Sequence, residues 1–108
     1  ALLAATFPAG SMTGAPKRSA MTHLLELEGA QRGVYAGCWG FVGFDGTVDL
    51  AMVIRTIVIA SERAGGAASV GSGGGITSGS IAAEEVREVA VKVRAPLAAL
   101  GAAVPAGW

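Results

Sequence analysis

With one cysteine, Cys38, the chain can form no internal disulfide, and a reducing, cytoplasmic setting is expected for it. Excess charge of either sign is missing as well, since 8 Lys and Arg balance 8 Asp and Glu. A nucleic-acid binder or a basic membrane-surface binder needs a positive footprint, so neither nucleic acid nor a membrane is an expected partner. Long apolar runs are absent too: Gly, Asp, Arg or Ser interrupts every stretch before the roughly 20 residues of a bilayer span. The apolar opening, Ala1 to Phe7, lacks a basic n-region and runs into a Pro/Gly turn, so no signal peptide is expected. Aromatic residues are scarce at 6%, and there is one histidine. Small residues are what the chain has in plenty. Of its 108 residues 17 are Gly and 22 are Ala, so a 52% hydrophobic content overstates the large side chains. The length allows one domain at most.

Phe7-Pro8-Ala9-Gly10-Ser11-Met12-Thr13-Gly14-Ala15-Pro16 is dense in Gly, Pro and hydroxyls and marks an ordered loop leading into a helix. That helix is expected from about Ala15 to Glu28, with Thr13 or Ser11 as cap, Pro16 in its first turn and Gly29 as its stop. From Gly33 to Ala60 the pattern turns strand-like, one strand before Asp45-Gly46 and one from Thr47 to Ile59. Asp-Gly between β-rich runs is a hairpin signal. Gly37, Gly40 and Gly43 recur every third residue, which suggests close backbone approach by another element, or a bulged strand under a helix. Ala67 to Ser72 is expected as a third strand. A Gly/Ser loop over 73–80 then leads to a helix from about Ile81 to Leu100, striped by Val86, Val89, Val93, Leu97 and Leu100. Pro96 should kink or end it, and 101–108 is expected to be an unstructured tail. Trp39, Phe41, Val53, Ile54, Ile57, Val58 and Ile59 are too many for one covered sheet face, so the strands are expected to belong to a larger sheet.

Each polar feature has a chemical and a structural reading. The Ser11–Lys17 loop at a helix N-terminus suits an anion, or is simply a capped helix start. Gly73 to Gly75 could let backbone N–H groups reach a ligand or form a plain turn, and no GK[ST] follows to make a nucleotide loop. Glu85, Glu88 and Lys92 fall in a sector of roughly 60° on the last helix. They suit a hard divalent cation such as Mg²⁺, or a solvated face with a Glu88–Lys92 pair. Arg55, inside an apolar run, is expected to be paired or to face a polar cavity. His23 reads as a surface histidine, and Cys38, next to Trp39, as a packed residue rather than a nucleophile.

Four blocks together resemble the chorismate-binding enzyme family. They are Phe7 to Lys17 with Ala20-Met21; Arg32 to Gly37 with Gly43 to Gly46; Ile54-Arg-Thr56; and Gly74-Gly-Ile76 followed by Glu85, Glu88, Lys92 and Arg94. The resemblance implies the C-terminal part of the family's domain over residues 1–100, with a tail over 101–108. The implied fold is α+β, with antiparallel strands from a two-sheet sandwich flanked by helices and chorismate bound between the sheets. Carried over by position, the resemblance makes Glu85 and Glu88 the carboxylates around Mg²⁺ and gives Glu85 and Lys92 catalytic roles. It assigns Ser11, Tyr35, Arg55, Gly73, Gly75 and Lys92 to substrate binding. Within the family, Gly10-Ser-Met-Thr-Gly-Ala-Pro-Lys17 is similar to the branch that aminates chorismate to aminodeoxychorismate for folate synthesis. The implied partners are chorismate and ammonia from a glutamine amidotransferase subunit or domain. Because the family's upstream residues are not in this sequence, the 108 residues alone are expected to be inactive; the alternatives are an anthranilate, isochorismate or salicylate synthase of the same family, or a non-catalytic structural piece.

Overall fold

The computed structural model describes residues 2–108 and is α+β. The chain divides into two compact units, Ala1–Val53 and Ile54–Trp108.

The first unit opens with two short helices, α1 (Leu2–Thr6) over the apolar start and α2 (Gly10–Thr13) inside the segment expected to be a loop. Leu and Ala are good helix formers, and the Thr6 hydroxyl donates to the Leu2 carbonyl at 3.0 Å. Helix α3 (Lys17–Glu28) follows, close to its expected span, but neither Ser11 nor Thr13 caps it. Pro16 occupies the N-cap in an extended conformation, and no side chain bonds the first turn. Thr13 is buried and turns its hydroxyl back onto the Ala9 carbonyl at 3.3 Å. Gly29 stops the helix as expected, taking φ +64° while its N–H donates to the Leu25 carbonyl at 3.1 Å.

Strands β1 (Cys38–Val42) and β2 (Val48–Met52) then pair antiparallel, with Gly40 opposite Leu50. The Asp45-Gly46 signal holds as a three-residue loop, Phe44 to Gly46, closed by Gly43 N–H on the Thr47 carbonyl at 2.7 Å. Asp45 accepts from the Thr47 backbone N–H at 3.0 Å and from its hydroxyl at 2.9 Å, while Gly46 supplies the left-handed φ of +88°. The close approach at the spaced glycines is internal to the hairpin region. A Cβ at Gly40 would collide with the Asp49 carbonyl oxygen of β2, and one at Gly37 would lie 2.9 Å from the Val34 carbonyl oxygen. One at Gly43 would lie 2.5 Å from an Asp45 carboxylate oxygen. The expected close backbone approach by another element is thus met at Gly40, where β2 supplies it, while a helix above a bulged strand is not what the spacing reflects.

In the second unit, β3 (Ile57–Ile59) pairs antiparallel with β4 (Ala68–Val70). The single strand expected from Thr47 to Ile59 is broken at residues 53–56. Arg55 sits there with φ +51°, a left-handed conformation that cannot continue a strand. A short 3₁₀ turn, Glu62–Ala64, lies in the β3–β4 connection. Helix α4 (Ala82–Ala99) runs on through Pro96, so the expected break does not occur there. Pro96 is buried with Ala90 and Val93, and this packing offsets the lost backbone bond. The helix closes beyond Leu100: Ala102 N–H donates to the Leu97 carbonyl at 2.9 Å and Gly101 N–H to the Ala98 carbonyl at 3.0 Å, with Gly101 at φ +69°.

Among the described residues the buried apolar residues are Ala36, Val53, Ala90, Val93 and Pro96, and no side chain is fully enclosed. Both faces of the β1–β2 hairpin are open, Trp39 being 78% exposed on one and Val42 66% on the other. A covered side chain of this size stabilises a fold by roughly 1.5–3 kcal/mol, a contribution the hairpin forgoes here. This agrees with the expected surplus of apolar strand surface. Cys38, expected to be packed, is a free exposed thiol on the same open strand. His23 is on the surface, as expected, with Nδ1 3.9 Å from Glu26. No helix among the described residues is long and apolar enough to cross a membrane.

Candidate functional site

In the second unit the loop 71–75 lies against α4 and is tied to it by two side chains. Ser72 donates its hydroxyl to the Val89 carbonyl at 3.2 Å, and Lys92 donates Nζ to the Gly73 carbonyl at 3.2 Å. The same Nζ forms an ion pair with Glu88 Oε1 at 2.5 Å. Helical spacing puts Glu88 and Lys92 on one face, so the lysine stands between a carboxylate and a loop carbonyl. Thus the structure brings Gly73, Glu88 and Lys92 together.

Glu85, one turn before Glu88, accepts a hydrogen bond from the Ser80 hydroxyl at 2.6 Å. Ser80 in turn accepts from the Thr77 backbone N–H at 3.0 Å, so the loop before the helix and the glutamate hold each other. Glu85 Oε2 lies so near Gly74 that a Cβ there would sit 3.0 Å from it. Glu85 and Gly74 also line a cleft of about 430 Å³ with Ile76, Val86, Val89 and Trp108. Its walls are apolar and Glu85 is the ionisable group facing it, the usual makeup of a small-molecule site.

The donor set on α4 consists of hard carboxylate oxygens. Ser80 and Lys92 occupy one oxygen each of Glu85 and Glu88, which leaves the Oε2 of both for a cation. Among the described residues no group of three or more His, Cys, Asp or Glu forms a protein cage. Mg²⁺ binds through one or two carboxylates and keeps its waters, and this pair fits it.

Two other expected site residues of this unit stand apart from the cluster. Gly75 has open space beside it, and Arg55 is exposed at the start of the unit. Arg55 is neither ion-paired among the described residues nor inside a strand, which corrects the expectation of a partnered charge in an apolar run. The left-handed break after β2 carries it out to solvent.

Ser11 and Tyr35 belong to the first unit. Ser11 is exposed in α2, and Tyr35 is half-buried in the turn after Gly33. Arg32, which sequence reasoning placed in a matching block without giving it a role, joins the two segments. Its Nη1 donates to the Met12 carbonyl at 2.7 Å, its Nη2 and Nε grip Glu28 at 2.6 and 2.9 Å, and its guanidinium carbon lies 5.8 Å from the Tyr35 ring centre. These donors hold the Glu28 carboxyl below its ordinary range, and the carboxylate raises the arginine. Arg32, Glu28, Tyr35 and Thr13 border a second cavity of about 440 Å³, floored by Leu24 and Leu25. Lys17 was missed in the same way: its Nζ donates to the Thr6 carbonyl at 3.0 Å and the Pro8 carbonyl at 2.6 Å, fixing the entry to α2. The available signal for Arg32 was Glu28 four residues earlier, just before the Gly29 stop.

Comparison with known proteins places these residues in context. Residues 1–98 match the family described as chorismate binding enzyme. The chain is 48% identical over 98 residues to anthranilate synthase component 1 of Streptomyces coelicolor, covering 91% of this chain and 18% of that protein. It is 47% identical over 96 residues to aminodeoxychorismate synthase of Streptomyces pristinaespiralis, covering 89% of this chain and 13% of that protein. Over 92 residues it is 45% identical to the chloroplastic aminodeoxychorismate synthase of Arabidopsis thaliana, covering 85% of this chain and 10% of that protein. The chain therefore spans less than a fifth of the length of these relatives. No solved structure matches it.

Proposed function

Because this chain belongs to the chorismate-binding enzyme family, we propose that it forms part of an aminodeoxychorismate synthase, which replaces the C4 hydroxyl of chorismate with an amino group. In that reaction the C4–O bond breaks, a C4–N bond forms from ammonia, and water leaves. A glutamine amidotransferase subunit or domain supplies the ammonia, and the product feeds folate synthesis in the cytoplasm. The match over residues 1–98, which includes every residue assigned a role below, supports a chorismate-binding enzyme, and the Gly10–Lys17 motif favours this branch of the family.

Glu88 would hold Mg²⁺ as a direct ligand, with Glu85 assisting through water. When bound, the ion supplies charge stabilisation for the ring carboxylate and for the departing hydroxyl. Lys92 keeps the Glu88 carboxylate and the Gly73 carbonyl at fixed distance and places a positive charge beside the substrate carboxylate. Backbone groups of Gly73 and Gly75 contact the substrate, and Arg55 offers a planar fork to its enolpyruvyl carboxylate. In the first unit, Tyr35 and the Ser11 hydroxyl take hydrogen bonds to the substrate. Arg55 is solvated here, so it serves only once a carboxylate is presented to it.

Anthranilate synthase is the second reading, favoured by the 48% identity to the Streptomyces coelicolor protein. Against it stands Ser11-Met12-Thr13, where anthranilate synthases more often read Thr-Val-Ser. Mass spectrometry of the products formed from chorismate, Mg²⁺ and ammonium by the complete enzyme separates the two. Aminodeoxychorismate supports the first reading; anthranilate with pyruvate replaces it with the second; isochorismate or salicylate moves the protein to another branch. Absence of turnover favours a non-catalytic structural role. The 108 residues assayed alongside are expected to be inactive.

A further inference from the structure

We propose that Arg32 is a positioning residue that locks the Ser11 turn and the Tyr35 turn to the end of α3, so that both substrate-contacting groups are presented in one fixed arrangement; this rests on the chorismate reading above. The argument begins with where its donors go. Nε and Nη2 are taken by Glu28 at 2.9 and 2.6 Å, and Nη1 by the Met12 carbonyl at 2.7 Å. Each nitrogen of the guanidinium is thus engaged inside the protein, with one N–H left over on each of Nη1 and Nη2. What it holds are two short segments. Met12 follows Ser11 directly in a helix of four residues that has no side-chain cap of its own. Tyr35 is tied to Arg32 twice, by its N–H on the Arg32 carbonyl at 3.2 Å and by the ring beneath the guanidinium at 5.8 Å.

Rigid planarity suits this task. Only a planar fork can grip Glu28 with two nitrogens while a third reaches Met12, and the flat cation also lies on an aromatic ring. Glu28 is the last residue of α3, so the helix end serves as the fixed post. Lysine, with a single point of charge, could keep the Met12 carbonyl or Glu28 but not the whole arrangement.

The test uses the complete enzyme, with steady-state kinetics and calorimetric titration of chorismate for Arg32→Met, Arg32→Lys and Glu28→Gln, beside Ser11→Ala and Tyr35→Phe. Losing charge-assisted bonds of this kind is expected to raise KM and Kd for chorismate about tenfold or more for Arg32→Met, while kcat changes less than about threefold. Arg32→Lys should fall between this variant and wild type. An unchanged KM for Arg32→Met, where Ser11→Ala or Tyr35→Phe weakens binding, overturns the positioning role and leaves the functional reading standing. Should Arg32→Met fail to fold, Glu28→Gln decides, with about a threefold rise in KM supporting the role and no rise overturning it. If wild type binds no chorismate, or neither Ser11→Ala nor Tyr35→Phe alters affinity, the reading of these contacts and the inference fall together.

Discussion

Lys92→Met separates a structural lysine from one that also serves chemistry. The methionine keeps most of the apolar stem, so packing is nearly unchanged and the loss is confined to the ammonium. That group makes two interactions. The Glu88 pair has side chains 32% and 53% exposed and is worth no more than about 0.5 kcal/mol. The bond to the Gly73 carbonyl, at 3.2 Å and part-buried, belongs at the low end for a charged donor, about 1.5 kcal/mol. The variant should therefore lose about 2 kcal/mol of local stability. If the loop at Gly73 and the Glu88 carboxylate must both be held for catalysis, loosening them can take at most this figure from the rate, about thirtyfold in kcat/KM at about 1.36 kcal/mol per decade. A lysine that also serves chemistry adds its own loss, so kcat/KM is expected to fall by about thirtyfold in the complete enzyme. Arg87→Met is the control, since it removes an equal charge one turn earlier from an exposed side chain without those contacts. Hydrogen exchange at residues 71–75 would report the loop and chorismate turnover the site. Faster exchange with turnover within about threefold of wild type would refute the catalytic part of the reasoning, and unchanged exchange would refute the structural part.

Glu88→Ala should raise the Mg²⁺ concentration needed for half-maximal turnover at least about tenfold, and wild-type rates at limiting Mg²⁺ would remove Glu88 from the ion. Gly40→Ala drives a Cβ into the Asp49 carbonyl, a backbone atom that cannot swing aside, and should destabilise the hairpin by about 1–3 kcal/mol. Gly10→Ala, which meets nothing within 4 Å, should be close to neutral, so equal denaturant midpoints for these two variants would contradict the close contact between β1 and β2. The Glu28 carboxyl is held below its ordinary range chiefly by hydrogen bonds from Arg32. The stability it contributes is thus complete above the usual carboxylate pKa and is lost as pH falls through the lowered value. Melting curves from about pH 6 to about pH 3 should show a shallower acid decline for Glu28→Gln, and an identical decline would mean another carboxylate is responsible.

Local signals made much of the fold legible. Gly29 ends α3 because a left-handed residue was needed there, and Asp45-Gly46 closes the hairpin because aspartate binds the Thr47 N–H while glycine takes positive φ. The break at Arg55 was hidden, since nothing in an arginine between apolar residues announces φ +51°. Alternation and branching favoured an unbroken strand, and the backbone turned instead. Pro96 misled in the other direction: burial beside Val93 and Ala90 outweighs one missing bond, an outcome set by packing that spacing does not encode. On α4, helical period alone put Glu85, Glu88 and Lys92 on one face. Their partners at Ser80 and Gly73 depend on how the preceding loop folds back, which periodicity cannot supply.

Lys17, Arg32 and Lys92 show one physical device used repeatedly. Each sends a cation to backbone carbonyls: Thr6 at the end of α1 and Pro8 after it for Lys17, Met12 in the short α2 for Arg32, and Gly73 in its loop for Lys92. Segments rich in glycine lose more conformational entropy on ordering than others and offer few side chains to bury in return. Among the described residues only small or medium apolar side chains are buried, so packing cannot fix those segments. Carbonyl oxygens remain available along any loop, and a charged donor forms a stronger bond to them than a neutral one. Anchoring by cations therefore sets backbone positions beside Ser11 and at Gly73 without filling the space around them. Space is thereby left open next to a fixed backbone, a consequence of the same small-residue composition that gives this chain a thin core.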